Sequence, residues 1–268
     1  MTDASNRARP DRPPIPRHDG ELPELTDEER AIHDWQFAID GLGEPAQRRL
    51  KAASVLVSRV GGLGGSVALQ LAAAGVGRLV LAHAGNLRPS DLNRQTLMSH
   101  AALGRPRLES AVRRLHDLNP RLDIVPIPEN PSPANALDLV RQADVVVDAA
   151  PLFPERFALN QAAVTLRKPM VEAAVFDLDV HVTTLIPGRT PCLRCLYPGD
   201  RPDWTRKFPV LGAVSATAGS LAALEVIRLI AGLESPLAGV LLTLDLRTLT
   251  VKKFRAHRLP DCPVCRDL

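Results

Sequence analysis

Ser54-Val55-Leu56-Val57-Ser58-Arg59-Val60-Gly61-Gly62-Leu63-Gly64-Gly65 decides the fold. A five-residue strand pattern with the apolar centre Val55-Leu56-Val57 leads through Arg59 and Val60 into a cluster of glycines, and a helical pattern then continues to Ala74. A strand that turns through glycines into a helix is the opening unit of a nucleotide-binding α/β fold, where backbone N–H groups face a phosphate. Gly61, Gly62 and Gly64 are the candidate phosphate-facing positions, with Arg59 beside them. The motif alone is a weak signal, because glycines also let a helix pack closely on its strand.

The alternation continues in both directions. Upstream, Thr26 with Glu29 has the spacing of a capping box and predicts a helix to about Ala38. A second helix is expected over Pro45–Lys51. Downstream, strands are predicted at Arg78–Ala82, Leu122–Ile127, Asp144–Asp148 and Pro169–Val175. Helices are predicted between them at Pro106–Leu118, Pro133–Gln142 and Pro154–Leu166. Short apolar strands separated by helices predict a Rossmann-like, doubly wound, mostly parallel sheet covered on both faces. The last third changes character. Asp179–Ile186 alternates as an antiparallel strand, Gly212–Ile230 is a long helix, and Val240–Leu244 with Leu249–Phe254 reads as a hairpin.

Of 268 residues, 45% are hydrophobic and 24% charged, enough for a sizeable core. The net charge of +3 and the absence of a basic, aromatic-interleaved patch argue against nucleic acid. No apolar run of roughly 18 residues is expected, so no membrane span is predicted. Residues 1–24 read as a disordered, proline-rich tail without a secretory signal, preceding one domain over 25–268. A cytoplasmic protein is therefore expected, in which cysteines more often bind metal than form disulfides.

All four cysteines fall in two C-x-x-C pairs, Cys192/Cys195 and Cys262/Cys265. Two such turns can close a tetrahedral thiolate shell around Zn²⁺, with no open coordination position and hence a structural role. The alternatives are two unrelated knuckles or a redox pair. Redox pairs usually open a helix after a strand, whereas Pro191 and Pro263 point to loops.

Several segments together resemble the ThiF/MoeB/HesA family, bacterial relatives of ubiquitin-activating enzymes. They are Val55–Val57 with Gly61–Gly64, Ala74–Leu79, Asp91-Leu92-Asn93-Arg94-Gln95-Thr96-Leu97, Leu103–Ala111, Asn119-Pro120, Asp144–Asp148, Pro191–Leu196, Gly219–Leu221 with Glu225, and Cys262–Cys265. The match runs in order from Leu25 to the C-terminus. The resemblance implies Mg-ATP, adenylation of the C-terminal glycine of a small ubiquitin-like carrier, a structural zinc and a dimer.

Against that pattern this chain has lost several groups. The family's finger arginine falls on Trp35, the first glycine of its phosphate loop on Arg59, and its ribose aspartate on His83. A second acid falls on Gly85, the phosphate lysine on Arg107, the magnesium aspartate on Pro151, and the acceptor cysteine near Thr205. Asn93, Arg94 and Gln95 are retained in the loop expected to face the phosphates. Asp148 is expected to hydrogen-bond the glycine loop, His83 to be a polar strand-end residue, and Trp35 to pack or to lie at a dimer interface. Arg59 either fills the vacated phosphate space with its own charge or binds another anion.

The expected function is a catalytically degenerate subunit that holds a small ubiquitin-like carrier protein or peptide, or an active paralogue. Mg-ATP is not expected to bind as it does in the family. One alternative is an adenylyltransferase using Arg59, Arg94 and Arg107. Another is an NAD(P)-dependent oxidoreductase, opposed by the missing acid at His83. A homodimer or paralogue heterodimer is expected around the small-residue start of the long helix.

Overall fold

The capping box at Thr26 forms as its spacing requires. The Glu29 N–H donates to Thr26 Oγ1 at 3.2 Å, and the Thr26 N–H donates to Glu29 Oε2 at 2.7 Å. This starts α1 (Asp27–Phe37), which leads through α2 (Glu44–Ala52) into β1 (Ser54–Ser58). The structure is a computed structural model and describes residues 21–199 and 209–268. Most of the predicted tail and the Thr205 position therefore lie outside the described residues. Of that tail, the carbonyls of Leu22 and Pro23 accept from Arg48 on α2.

From β1 the chain alternates through α3 (Gly62–Ala73), β2 (Arg78–Ala82), α4 (Arg107–Leu118), β3 (Asp123–Ile127), α5 (Ala136–Arg141), β4 (Val145–Asp148), α6 (Phe153–Thr165) and β5 (Met170–Phe176). Then come β6 (Asp179–Leu185), the one-turn α7 (Leu193–Leu196), α8 (Gly212–Ala231), β7 (Val240–Asp245) and β8 (Thr250–Arg255). One eight-stranded sheet results, in the order β3-β2-β1-β4-β5-β6-β7-β8. β3 to β5 pair in parallel, and β5 to β8 are antiparallel. The doubly wound expectation with antiparallel C-terminal strands therefore holds for the sheet.

Alternation along each strand sorts the core onto two faces. Val55, Val57, Leu79, Leu81, Val145 and Val147 pack with α3, α4 and α8. Leu56, Val80 and Val146 pack with α5 and α6 on the other face.

Three expectations are corrected here. The helix predicted over Pro133–Gln142 begins only at Ala136, because Asn135 Oδ1 accepts from the Ser132 N–H and holds residues 132–135 in a turn. Cys192 caps the one-turn helix α7, where a plain loop was expected. Third, α8 is twenty residues long and apolar enough to cross a membrane by length and composition, contrary to the expectation of no such run. Its inner face is spent on the core: Ala218, Ala222, Val226 and Leu229 are buried.

The small residues at the start of α8, expected to lie at a dimer interface, pack closely within this chain. A Cβ on Gly219 would lie 2.6 Å from Ser66 Cβ and 2.7 Å from the Leu63 carbonyl of α3, and one on Gly212 would lie 2.6 Å from the Asn93 carbonyl. Trp35 is 90% exposed among the described residues, so of its two expected roles packing within them is not the one it takes.

The tightest backbone approach is at Gly77, before β2. A Cβ there would stand 1.9 Å from the Lys51 carbonyl oxygen, and the Gly77 N–H donates to the Leu50 carbonyl. Both obstacles are backbone, so Gly77→Ala must push α2 away from the sheet. A loss of about 1–3 kcal/mol or more is expected, read as a drop of several degrees in the thermal midpoint. An unchanged midpoint would show that α2 can shift freely.

Candidate functional site

A cavity of about 490 Å³ opens at the carboxyl ends of the parallel strands, beside the point where the strand order reverses between β1 and β4. Open α/β sheets bind ligands at that crevice. Arg59, Gly61, Gly62, His83, Arg94, Gln95 and Arg107 all line it, so most of the positions singled out by sequence converge. Asn93 and Gly64 do not line it. Asn93 Oδ1 accepts from Arg94 Nη1 at 3.1 Å. Gly64 is a packing glycine, since a Cβ there would come within 2.6 Å of the Arg59 carbonyl.

Arg59 has a left-handed backbone, φ +59°, at the first position of the loop, where glycine carries no penalty. Its guanidinium grips Glu155 in the first turn of α6 with two bonds of 2.8 Å and donates to Asn130 Oδ1 at 2.6 Å. Of the two alternatives for Arg59, the structure shows its charge met internally. Burial raises the Glu155 carboxyl, and the Arg59 charge opposes that shift.

Asp91 escaped the sequence reading as a site residue, although its motif was recognised. It is 5% exposed and stands at the centre of the retained loop. Its carboxylate accepts from Arg107 Nη2 at 2.7 Å, Gln95 Nε2 at 3.0 Å, Arg94 Nη2 at 3.3 Å and the Arg88 N–H at 2.9 Å. Burial alone would raise this carboxyl, but the Arg88 N–H and the two arginines outweigh it and hold it below its usual value. A residue letter carries no burial, so only the fold could show one acid organising three site residues.

His83 directly follows β2 on the cavity wall, 7% exposed. Burial, with Arg59 and Arg107 nearby, pushes its imidazole down to about 4, so it is neutral at physiological pH.

Deeper in the site, Arg156 of α6 lines the cavity and is buried between two acids. Its Nε donates to Asp148 Oδ2 at 3.2 Å and its Nη2 to Glu172 Oε1. Asp148 was expected to serve the glycine loop. Instead it accepts from Arg156 and from the Ala150 N–H, because the β4 turn points its carboxylate toward α6. Burial drives Glu172 up to about 7 against the pull of Arg156. Neither Arg156 nor Glu172 was singled out, since a buried ion pair across α6 and β5 has no local sequence signature.

Pro151, Phe153, Tyr197, Asp179 and His181 complete this end, over a floor of small residues, Ala149, Ala150, Ala173 and Ala174. Pro151 offers neither a side-chain oxygen nor an N–H at the position where the resemblance places a metal-binding carboxylate.

On the far side, all four cysteines are buried and unpaired by disulfides, with their sulfurs within 4.8 Å of one another. The Sγ separations are 3.5 Å for Cys195–Cys265, 3.6 Å for Cys192–Cys262 and 4.0 Å for Cys192–Cys195. Four sulfurs at ~2.3 Å from a tetrahedral Zn²⁺ are separated by roughly 3.8 Å, so the group fits a metal ion.

Comparison with known proteins agrees with this architecture. The chain is 50% identical over 242 residues to the vegetative HesA protein of Trichormus variabilis, covering 90% of this chain and 91% of the relative. It is 38% identical over 251 residues to the sulfur carrier protein adenylyltransferase of Thermus thermophilus, covering 90% and 93%. The E. coli MccB structure with MccA-N7isoASN superposes with a TM-score of 0.79 at 22% identity, covering 92% of this chain and 77% of MccB, and so shares the fold. The ThiF family model matches residues 33–264. The parallel sheet, the glycine loop, the retained Asn93-Arg94-Gln95 and the paired cysteines thus have one common explanation: this chain belongs to the ThiF family.

Proposed function

We propose that this chain is a non-adenylating member of its family that holds the C-terminal tail of a small carrier protein or peptide, as a homodimer or beside an active paralogue. One observation carries the proposal: the cations a triphosphate would need are already matched by carboxylates. Arg59 is held by Glu155, and Arg94 and Arg107 share Asp91. Polyphosphate transfer needs unspent positive charge and a metal held by oxygen ligands. Pro151 supplies no such oxygen. The alanine floor beyond it leaves room for an extended chain of small residues between Phe153, Tyr197 and the sheet. A structural Zn²⁺ on the four cysteines ties residues 262–265 to α7.

Adenylyltransfer is the second reading. The identity to the Thermus thermophilus sulfur carrier protein adenylyltransferase favours it, as do the retained Arg94 and Gln95 at the cavity. The Thermus thermophilus relative is an adenylyltransferase by name and lends no support to the oxidoreductase alternative.

The expected result is no magnesium-dependent exchange of pyrophosphate into ATP, with or without an added carrier protein. If Pro151→Asp combined with His83→Asp restores the missing oxygen ligands, exchange should rise from background in that variant. Robust exchange by the unmodified protein would overturn the proposal in favour of the second reading.

A further inference from the structure

A single helical turn is too short to hold itself, and the place of α7 is set from both of its sides. On one side Cys192 and Cys195 belong to the small buried cluster that they form with Cys262 and Cys265. On the other, Leu193, Leu196 and Tyr197 pack with residues of α6. Leu193 is fully buried, and its N–H donates to Asn160 Oδ1 of α6 at 2.9 Å. Tyr197 closes the turn. Its N–H donates to the Leu193 carbonyl at 3.0 Å, and the residue lines the cavity.

Aromatic contacts tie this turn to the start of α6. The Tyr197 ring meets Phe153 edge-on, with centroids 5.3 Å apart, and Phe153 stacks with Phe157 at 5.7 Å. The Arg194 guanidinium lies 5.0 Å from the centre of the Phe157 ring and returns the chain of contacts to α7. Between Phe153 and Phe157 stand Glu155, which holds Arg59 of the glycine loop, and Arg156, which holds Asp148 and Glu172. Both ion-pair networks therefore start from the one turn of α6 that α7 clasps.

Cys195 and Tyr197 are two residues apart, a spacing that puts them on opposite sides of a helical turn. A displacement of the Cys195 sulfur is thus passed to the Tyr197 ring, with buried Leu193 as the fixed point. Thiols 3.5 to 4.0 Å apart hold one another weakly, because S–H is a poor donor. Thiolates shared by one tetrahedral metal ion are all fixed together.

We propose that the four cysteines and the cavity are coupled through α7, with Tyr197 as a positioning residue whose place on the cavity wall depends on the bound metal. A chain without metal loosens at Phe153 and Tyr197 and, through Glu155, at the glycine loop. The coupling rests on the reading that the cysteines bind Zn²⁺, and it is independent of whether the cavity adenylates a carrier.

Tyr197 is the one tyrosine in the sequence, so the full chain grown with 3-fluorotyrosine gives a single fluorine signal from the cavity wall. The signal is recorded beside the zinc content of the same sample. A chelator should replace the native signal by a shifted or broadened one in proportion to the zinc removed, and added Zn²⁺ should restore it. Amide exchange over residues 153–157 and 193–197 should rise roughly tenfold while β1 and β4 stay protected. Cys262→Ser with Cys265→Ser should show the changed signal with no chelator present. Native protein that holds no zinc overturns both the coupling and the metal reading. A fluorine signal unmoved by measured loss of zinc overturns the coupling and leaves the metal reading standing. Exchange that rises in β1 and β4 together with α7 also overturns the coupling, because the whole fold has then loosened. Chelation acts on the unmodified sequence, so misfolding of the double variant cannot mask the answer.

Discussion

Serine at both Cys262 and Cys265 is expected to abolish metal binding and to release the C-terminal segment. The four sulfurs sit in a small buried cluster with Val164, Val264 and Leu268, apart from the two cores that flank the sheet. Among the described residues few hydrogen bonds tie the segment down: the Ala256 N–H donates to the Gly239 carbonyl and the Leu259 N–H to Cys195 Sγ, while Arg258 bonds within the segment, to the Leu268 and Cys265 carbonyls. Structural zinc contributes on the order of 10 kcal/mol or more in small thiolate sites, far more than these bonds. The native protein should contain about one zinc per chain. A strong chelator should raise amide exchange over residues 256–268 before any change in β1, β4 or β5. Metal-free native protein, or zinc retained in the double variant, would falsify the assignment.

The second large effect is expected at Arg156. Arg156→Met removes the one cation between Asp148 and Glu172, both fully buried, and leaves two acids without a counter-charge. Breaking a buried pair in this way costs about 3–5 kcal/mol, a large fraction of the stability of a domain this size. Glu172 also makes the native protein sensitive to pH. Its carboxyl titrates at about 7 in the fold against an ordinary 4.5, so the folded state binds the extra proton between those values. Its contribution is complete below about pH 4.5 and is lost as pH rises through about 7. The depressed His83 imidazole gives the opposite slope up to about pH 6.5, so the Glu172 contribution is read as a difference: Glu172→Gln should gain in denaturation midpoint relative to the native protein as pH rises from 5 to 7. A profile unchanged by Glu172→Gln would show that another group sets it. Arg156→Met measured at pH 5, where protonation relieves the unpaired acids, should be less damaging than at pH 8.

What the sequence determined by itself is the part governed by local rules. Alternation and periodicity placed every strand to within a residue or two, from Val55–Val57 in β1 to the β7–β8 hairpin. The Thr26–Glu29 spacing gave the first cap, the glycines after β1 located the ligand end of the sheet, and the two C-x-x-C pairs identified the thiol cluster. These signals repeat every two or three residues or sit within one turn, so a single chain displays them.

The tertiary structure alone decided how the charges are matched. Arg59 reads as a free cation beside a phosphate loop until α6 brings Glu155 to it across 96 residues. Asp91 reads as one acid in a polar loop until α4 delivers Arg107 to it. Arg156 and Glu172 are unremarkable letters until a helix and a strand close on them. Burial is what gives each pair its consequence, because desolvation makes an unmatched charge costly and a matched one inert toward a ligand. Burial is a property of the folded chain, and no residue type or spacing records it.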